Sequence, residues 1–410
     1  MMPGARNYAI VTAAYWGFTL SDGALRMLVL LHFFRLGYSP FTLALLFLLY
    51  EAAGIGANLG GGWLATRFGV PRMLAVGLAL QIAGLLMLSA LPGEWSVAAS
   101  VAWVVAAQGV AGIAKDLTKT ASKSAIKATA DAGAGQLFRW VAWFTGSKNA
   151  MKGAGFFLGG LALDLVGFRP ALWLMAGGLA AVLAGVALSL PAQLGKAKAS
   201  RSMRELFSKS SGVNLLAAAR ILLFGARDVW FAVGLPVFLY AHGWRFLEVG
   251  AFLAAWTIGY GAVQGLAPSL VARSADGLSR EVPAARLWAG LLAGIPAALA
   301  LAIVLPNGVR ADLLVAGGLA LFGLAFAVNS SLHSYLILAY AGSKKVAEDV
   351  GFYYAANATG RLLGILLSGA LYQSGGIAAC LLGSAAMLAG CWAVSLRLPA
   401  SARPATAAGD

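Results

Sequence analysis

Charge is scarce in this sequence, and what there is leans to one sign. Only 11% of its 410 residues are Asp, Glu, Lys or Arg, and 15 acids face 30 bases. So low a charge content, with 60% hydrophobic residues, excludes a solvated or disordered chain. Cysteine is rarer still. Cys380 and Cys391 are the only two, both in the last apolar run, so neither a disulfide framework nor a thiolate metal site is expected. The three histidines are scattered without metal-ligand spacing. No HExxH, paired-cysteine or glycine–x–serine–x–glycine pattern occurs, so an enzyme embedded in the membrane would lack a visible nucleophile or metal constellation. No cofactor is expected.

What is present is apolar length. Mean hydropathy is +0.81, and runs near or above 18 residues recur along the whole chain, the sign of membrane helices. The expected fold is an all-α membrane protein with twelve spans, near 8–35, 40–65, 72–91, 96–121, 136–165, 170–191, 213–240, 246–272, 284–305, 311–339, 346–372 and 376–397. The first run is too long for a cleavable signal peptide and contains Asp22 and Arg26. The longest polar connection, QLGKAKASRSMRELFSKSSG, separates six spans from six. It divides the chain into a six-helix bundle over 1–192, a cytoplasmic linker over 193–212, a second bundle over 213–398, and a small polar tail over 399–410 that is expected to be disordered.

Orientation follows from the bases in loops, at interfaces and in the tails. Eighteen fall on the side of the termini, and only Arg35, Arg169, Arg245 and Arg310 fall on the other. That bias places both termini in the cytoplasm. It also accounts for most of the net charge of +15 without a nucleic-acid partner.

The halves carry a faint repeat. LGYSP at 36–40 parallels HGWRF at 242–246, each joining the first two spans of its half. Six plus six spans in parallel repeats resembles the plan of major facilitator transporters. The loop after span two, GGWLATRFGVPR from Gly61 to Arg72, resembles that superfamily's cytoplasmic loop motif. Gly62, Leu64, Arg67 and Gly69 match it, and Gly62, Arg67 and Gly69 are the candidate gating residues. Thr66 stands where the motif has aspartate, so the ion pair of that aspartate has no donor of charge here.

Twelve charges fall within spans once those in loops, at interfaces and in the tails are set apart. The bases are Arg26, Lys115, Lys119, Lys148, Lys152, Arg220, Arg227 and Arg361, and the acids are Asp22, Glu51, Asp116 and Asp228. A charge at the bilayer centre costs about 2.5–3.5 kcal/mol, so these groups must face one another or a wet interior. If each acid neutralises one base, about four positive charges remain and need a mobile counter-ion. A multivalent anion fits that excess, whereas an exporter of cationic drugs needs the opposite sign.

AGIAKDLTKTASKSAIK, 111–127, stacks Lys115, Lys119, Lys123 and Lys127 on one helix face. Lys123 and Lys127 lie past the end of span four and read as ordinary positive-inside charge. Lys115 and Lys119 lie in its cytoplasmic third. They either snorkel to the interface or form a funnel that draws in an anion. TGSKNAMKGAG puts Lys148 and Lys152 on one face of span five, beside Asn149, and NATGR repeats the spacing at Asn357 and Arg361 in the corresponding span of the second half. Pairing with Glu51 or Asp22 is the structural alternative for the two lysines. In span one, Asp22 and Arg26 are four apart and able to pair locally. In span seven, Arg220 and Arg227 share a face, with Asp228 beside the second, and guanidinium forks suit phosphate or arsenate oxygens. Asn329 and His333 in span ten read as polar lining or as a helix contact. Asp22 and Glu51 are the candidate proton-carrying carboxylates, and Asp116 and Asp228 the further ion-pairing acids. The glycines of GIGANLGGG and GAGFFLGG, at 54–62 and 153–160, allow close helix approach.

The segments NYAIVTAAYWGFTLSDGALRMLVLLHF, GIAKDLTKTASKSAIK, TGSKNAMKGAGFFLGG and ARILLFGARDVWFAVGLPV resemble the ArsJ organoarsenical efflux permeases, a branch of the same superfamily. That resemblance implies export of 1-arseno-3-phosphoglycerate across a bacterial inner membrane, with arsenate resistance as the result. It also implies a functional link to a glyceraldehyde-3-phosphate dehydrogenase that makes this ester from arsenate. Such a substrate is anionic at both ends, and its pentavalent arsenic has no affinity for thiols, which suits a chain without a cysteine cluster. The family supplies no binding residues, so the candidate sites rest on charge. The expected partners are therefore a small anion and the lipid bilayer, with a monomer sufficient. The alternative is a facilitator that exchanges another phosphorylated organic anion.

Overall fold

The computed structural model describes residues 3–129, 134–191, 210–271, 274, 276–305, 308–341 and 346–400. At 3–5, 59–67, 123–124, 126–129, 134–146, 268–270 and 346–348 it describes the backbone alone. The linker over 193–209 and the tail from 401 lie outside the described residues, as do the side chains of Gly62, Thr66, Arg67, Lys123 and Lys127.

Thirteen helices, and no strand, make up the described residues. In chain order they are α1 (Pro3–Arg35), α2 (Pro40–Leu45), α3 (Leu48–Phe68), α4 (Val70–Ser89), α5 (Val97–Thr129), α6 (Ala134–Leu165) and α7 (Phe168–Ser189), then α8 (Ser211–Phe231), α9 (Gly234–Ala241), α10 (Phe246–Leu270), α11 (Glu281–Val304), α12 (Ala311–Tyr340) and α13 (Val346–Ser395). Ten stretches among the described residues are long and apolar enough to cross a membrane, with α2–α3 and α8–α9 each forming one stretch. Large apolar side chains such as Leu287, Leu291, Leu301 and Val304 of α11 point outward, as lipid contact requires.

The helices stop where the sequence supplies a reason. Ser39 caps α2 by accepting the Thr42 amide at 3.2 Å, with Pro40 opening the helix. Pro236 lacks an N–H and lies just past the break between α8 and α9. The amides of Val233 and Gly234 freed at that break donate to Ser368 Oγ of α13, at 3.2 and 3.0 Å. α13 is two helices joined across Gly375 and Gly376.

The connection Gly61–Arg72, expected to be a loop, is mostly helix. α3 runs through Phe68, α4 starts at Val70, and Gly69 with φ of 79° is the single pivot. A side chain with a Cβ resists that conformation, so the glycine makes the tight reversal possible.

Positive-φ glycines also mark the repeat. Gly37 matches Gly243, Gly69 matches Gly277, and Gly167 matches Gly376, at corresponding turns of the two halves. Packing follows the same symmetry. α1 lies close against α6 through Gly23, Gly155 and Gly159, as α8 lies against α13 through Gly225, Gly360 and Gly364. The halves meet where α6 packs on α10 and where α2 and α3 pack on α13. On the side opposite the termini this seam is shut. Phe41 N donates to Gln373 Oε1 at 3.3 Å, Leu247 N donates to Asp164 Oδ2 at 3.1 Å, and the Phe34 and Tyr240 rings meet edge to face.

Candidate functional site

The seam brings most of the intramembrane charges together at mid-height. Glu51, in the first turn of α3, is the hub. Its carboxylate receives Arg26 Nη1 of α1 at 3.3 Å, Lys115 Nζ of α5 at 3.8 Å and Arg361 Nη2 of α13 at 2.5 Å. Arg361 also reaches Asp228 Oδ2 through Nε at 3.4 Å, and Asp228 Oδ1 binds Arg227 Nη2 at 2.6 Å. One chain of alternating charge therefore runs from α1 and α5 through Glu51, Arg361 and Asp228 to Arg227 on α8. Only the Glu51–Arg361 step in it crosses from the first half to the second.

Exposure divides the ion-paired intramembrane groups by sign. The side chains of Glu51, Asp228 and Asp116 are 1–3% exposed, whereas those of Arg26, Lys115, Lys119, Arg227 and Arg361 are 10–21% exposed. The acids are sealed behind the bases. The surface that solvent touches is therefore cationic, although several of its charges are paired.

Among the intramembrane bases, Lys152 and Arg220 have no carboxylate within ion-pair distance among the described residues. Lys152 is partly exposed, packs over the Phe156 ring at 5.7 Å, and lies within electrostatic reach of Arg361, Arg26, Arg227 and Asp22. Arg220 is buried and bonded only to neutral groups, namely Asn357 Oδ1 at 3.0 Å and the carbonyl and hydroxyl oxygens of Ser330 at 3.1 and 3.2 Å. It also stacks on Phe224 and Tyr353. Asn357 thus holds the Arg220 guanidinium rather than facing the seam as a free amide.

The local Asp22–Arg26 pair that the four-residue spacing allowed does not form. Arg26 turns to Glu51, and Asp22 accepts the Tyr50 hydroxyl at 2.5 Å. Lys115 does not snorkel. It lies over the Tyr50 ring at 3.7 Å and belongs to the central group. Lys119 lies further toward the termini, with Asp116 Oδ1 at 3.6 Å and Asn58 Oδ1 at 2.8 Å. The lysine ladder therefore splits one step higher than expected, between Lys115 and Lys119. Lys148 is partly exposed one turn from Lys152, and Asn149 donates to Gln264 Oε1 of α10 at 3.3 Å. Asn329 and His333 do not line a wet surface, because both are fully buried in α12.

Sequence reasoning missed Ser330, Gln264, Tyr260 and Tyr50. Ser330 Oγ takes Gln264 Nε2 at 3.3 Å and stands 3.4 Å from the Tyr260 hydroxyl, so a neutral polar chain joins Arg220 to Asn149 across the seam. A search for charged residues passes over neutral ones. The spacing of Tyr260 and Gln264, four apart on one helix face, was the available signal.

The repeat relates the site to itself. Lys152 precedes the Gly167 turn by the same number of residues as Arg361 precedes Gly376. Asp22 precedes Gly37 as Asp228 precedes Gly243. Lys152 with Asp22 on α6 and α1 is thus the counterpart of Arg361 with Asp228 on α13 and α8.

Solved structures with the same architecture include membrane transporters. A POT family transporter in complex with 5-aminolevulinic acid matches with a TM-score of 0.71 at 14% identity, covering 95% of each chain. The peptide transporter POT in complex with sulfate matches with 0.71 at 14% identity, covering 96% of this chain and 93% of that one. The human organic anion transporter MFSD10 (TETRAN) matches with 0.65 at 16% identity, covering 96% and 100%. No curated protein matches the sequence. The likeness to these structures gives the fold, that of a multi-pass membrane transporter. The model of the Major Facilitator Superfamily matches residues 10–347, most of the chain, and the protein belongs to that superfamily.

Proposed function

We propose that the protein is a secondary transporter that exports a phosphorylated organic anion, and that its substrate is the organoarsenical ester 1-arseno-3-phosphoglycerate. The observation that carries the anion reading is the division of exposure by sign. Buried acids at 1–3% stand behind bases at 10–21%, and Lys152 and Arg220 have no acid of their own. A site for a cation needs exposed carboxylates, and none of these acids is exposed. Guanidinium forks and ammonium groups at one level suit tetrahedral oxyanions.

The reading takes α2–α3 and α8–α9 each as one broken crossing and α13 as two, which makes twelve crossings in two six-helix bundles, 1–192 and 213–398, joined by the linker 193–212. Both termini are cytoplasmic by the excess of Lys and Arg on their side, in a bacterial inner membrane. The ligands named for the similar structures range from a peptide conjugate to sulfate. They supply no single substrate class, so the substrate rests on charge and on the sequence resemblance, which also supplies the direction of export and arsenate resistance.

The test is transport by purified protein in inside-out liposomes. Arsenic should accumulate when the bath contains arsenate, glyceraldehyde-3-phosphate, NAD and the dehydrogenase, and not when any one of these is omitted. Accumulation of 3-phosphoglycerate or another phosphorylated acid without arsenic would establish the alternative facilitator. Transport of a cationic drug with no anion flux would overturn the anion reading.

A further inference from the structure

Glu51 is in an unusual position for a structural acid. Its side chain is 1% exposed and has three bases around it, two from its own half and one, Arg361, from the other. Arg361 has a second carboxylate within reach, Asp228, on its own side of the seam. The α2 segment just ahead of Glu51 belongs to the closed side of the seam, where Phe41 meets Gln373 and a Cβ on Gly369 of α13 would touch Ala44 and the Pro40 carbonyl. The Glu51–Arg361 bridge therefore lies directly beneath the closure on the side opposite the termini.

An anion that leaves through that side must pass an opened seam, and opening separates α2 and α3 from α13. Doing so in the empty protein pulls a largely buried guanidinium away from its nearest carboxylate and leaves it only Asp228 on its own side, which is unfavourable. An oxyanion bound at Arg361 changes this. It occupies the guanidinium fork in place of Glu51, while Glu51 keeps Arg26 and Lys115. Lys152, the repeat-related counterpart of Arg361, has no carboxylate at ion-pair distance among the described residues and supplies the second positive contact.

We propose that Glu51 is the resident counter-anion of the transport site and is displaced from Arg361 by the incoming anion, so that the seam opens only when the site is occupied. This inference rests on the anion-transport reading and adds to it a competitor built into the chain. It makes an unusual demand on sign. Removing an acid from a structural network should weaken the site, whereas removing a competitor should strengthen binding.

The experiment titrates 3-phosphoglycerate and inorganic phosphate separately into purified full-length protein in detergent. Glu51→Gln keeps the shape and removes the charge. It should bind at least one of the two anions about tenfold or more tightly than wild type, the change expected when a charge-assisted bond loses its rival. Equal or weaker binding by a folded Glu51→Gln protein, with wild type binding normally, overturns the inference and leaves the transport reading intact. A second measurement does not depend on that variant. In a protein with Phe41→Cys and Gln373→Cys, disulfide formation across the seam should slow severalfold when 3-phosphoglycerate is added. The native Cys380 and Cys391 are buried and do not compete. A cross-linking rate indifferent to a bound anion overturns the inference as well. If wild type binds neither anion and neither alters cross-linking, the displacement of Glu51 is overturned, while arsenic accumulation in the liposome assay separately decides the transport reading.

Discussion

Lys152 on α6 and Arg361 on α13 occupy matched places in the two halves, each at the same remove from a positive-φ glycine turn. Their surroundings differ. Arg361 bridges two carboxylates, and Lys152 has none at ion-pair distance among the described residues. The two should therefore fail differently. Lys152→Gln removes a contact to substrate, worth about 1.5–3 kcal/mol for a charge-assisted bond. It should cut transport by one to two decades, roughly, with an unchanged melting temperature. Arg361→Gln removes the same kind of contact and also takes one base each from the buried Glu51 and Asp228, so it should lower transport and melting temperature together. Equal loss of stability in both variants would mean that Lys152 is held by a partner and is not free for substrate.

How far the sequence could be read depended on range. Helix content, the repeat and the charged residues were legible because each is written in local periodicity, in glycine turns or in residue type. Pairings were not. The spacing of Asp22 and Arg26 suggested a local pair, yet Arg26 reaches Glu51 on another helix and Asp22 binds Tyr50. Partners on other helices are set by how α1, α3, α5 and α13 meet, and a single chain does not print that. The connection after α3 departs from the expected loop for a related reason. Charged and glycine-rich residues suggest a loop, but the positive φ of Gly69 lets helix continue to either side of one residue.

Helix approach at the repeat-related seams can be tested by adding one methyl group. A Cβ on Gly159 of α6 would lie 2.6 Å from the Ala24 carbonyl oxygen and 2.8 Å from its Cα. Gly159→Ala must push α1 from α6, which costs about 1–3 kcal/mol by overpacking. Gly177 of α7 is the control, because nothing lies within 4 Å of its would-be Cβ. Gly177→Ala should be neutral, or should stabilise by up to about 1 kcal/mol through helix propensity. Thermal unfolding of both in detergent decides the point, and equal melting temperatures would contradict the close contact.

Lys115 and Lys119 should separate in a salt series. Lys115 is locked between Glu51 and the Tyr50 ring, whereas Lys119 lies nearer the termini with Asp116 and Asn58. At about 0.15 M salt the Debye length is about 8 Å, so a charge that acts at a distance on an entering anion is screened. Lys119→Gln should slow uptake into inside-out vesicles, and the deficit should shrink as salt rises. Lys115→Gln should lose transport at every salt concentration, because it dismantles the Glu51 hub. A salt-insensitive Lys119→Gln defect would place that residue among the direct contacts.

Asp22 and Glu51 were both candidates for carrying a coupled proton, and their partners now distinguish them. Protonating Glu51 would loosen three bases at once. Protonating Asp22 breaks no ion pair among the described residues, since its bond is to the Tyr50 hydroxyl. Asp22 lies within electrostatic reach of Tyr15 on its own helix, Tyr50 on α3, Lys152 on α6 and Arg361 on α13. Taking up a proton at Asp22 would leave Lys152 more positive in effect and hold the anion harder, and releasing it would let the anion go. Asp22→Asn fixes the neutral form. In liposomes with an imposed pH gradient it should bind 3-phosphoglycerate at least as well as wild type, yet show flux that no longer responds to the gradient. Measuring flux in wild type, Asp22→Asn and Tyr50→Phe across gradients of either sign gives the answer. If the Asp22→Asn flux tracks the gradient as wild type does, Asp22 carries no proton. If wild-type flux ignores the gradient altogether, efflux runs on the substrate's own gradient, and the Asp22–Tyr50 bond serves only to hold α1 against α3.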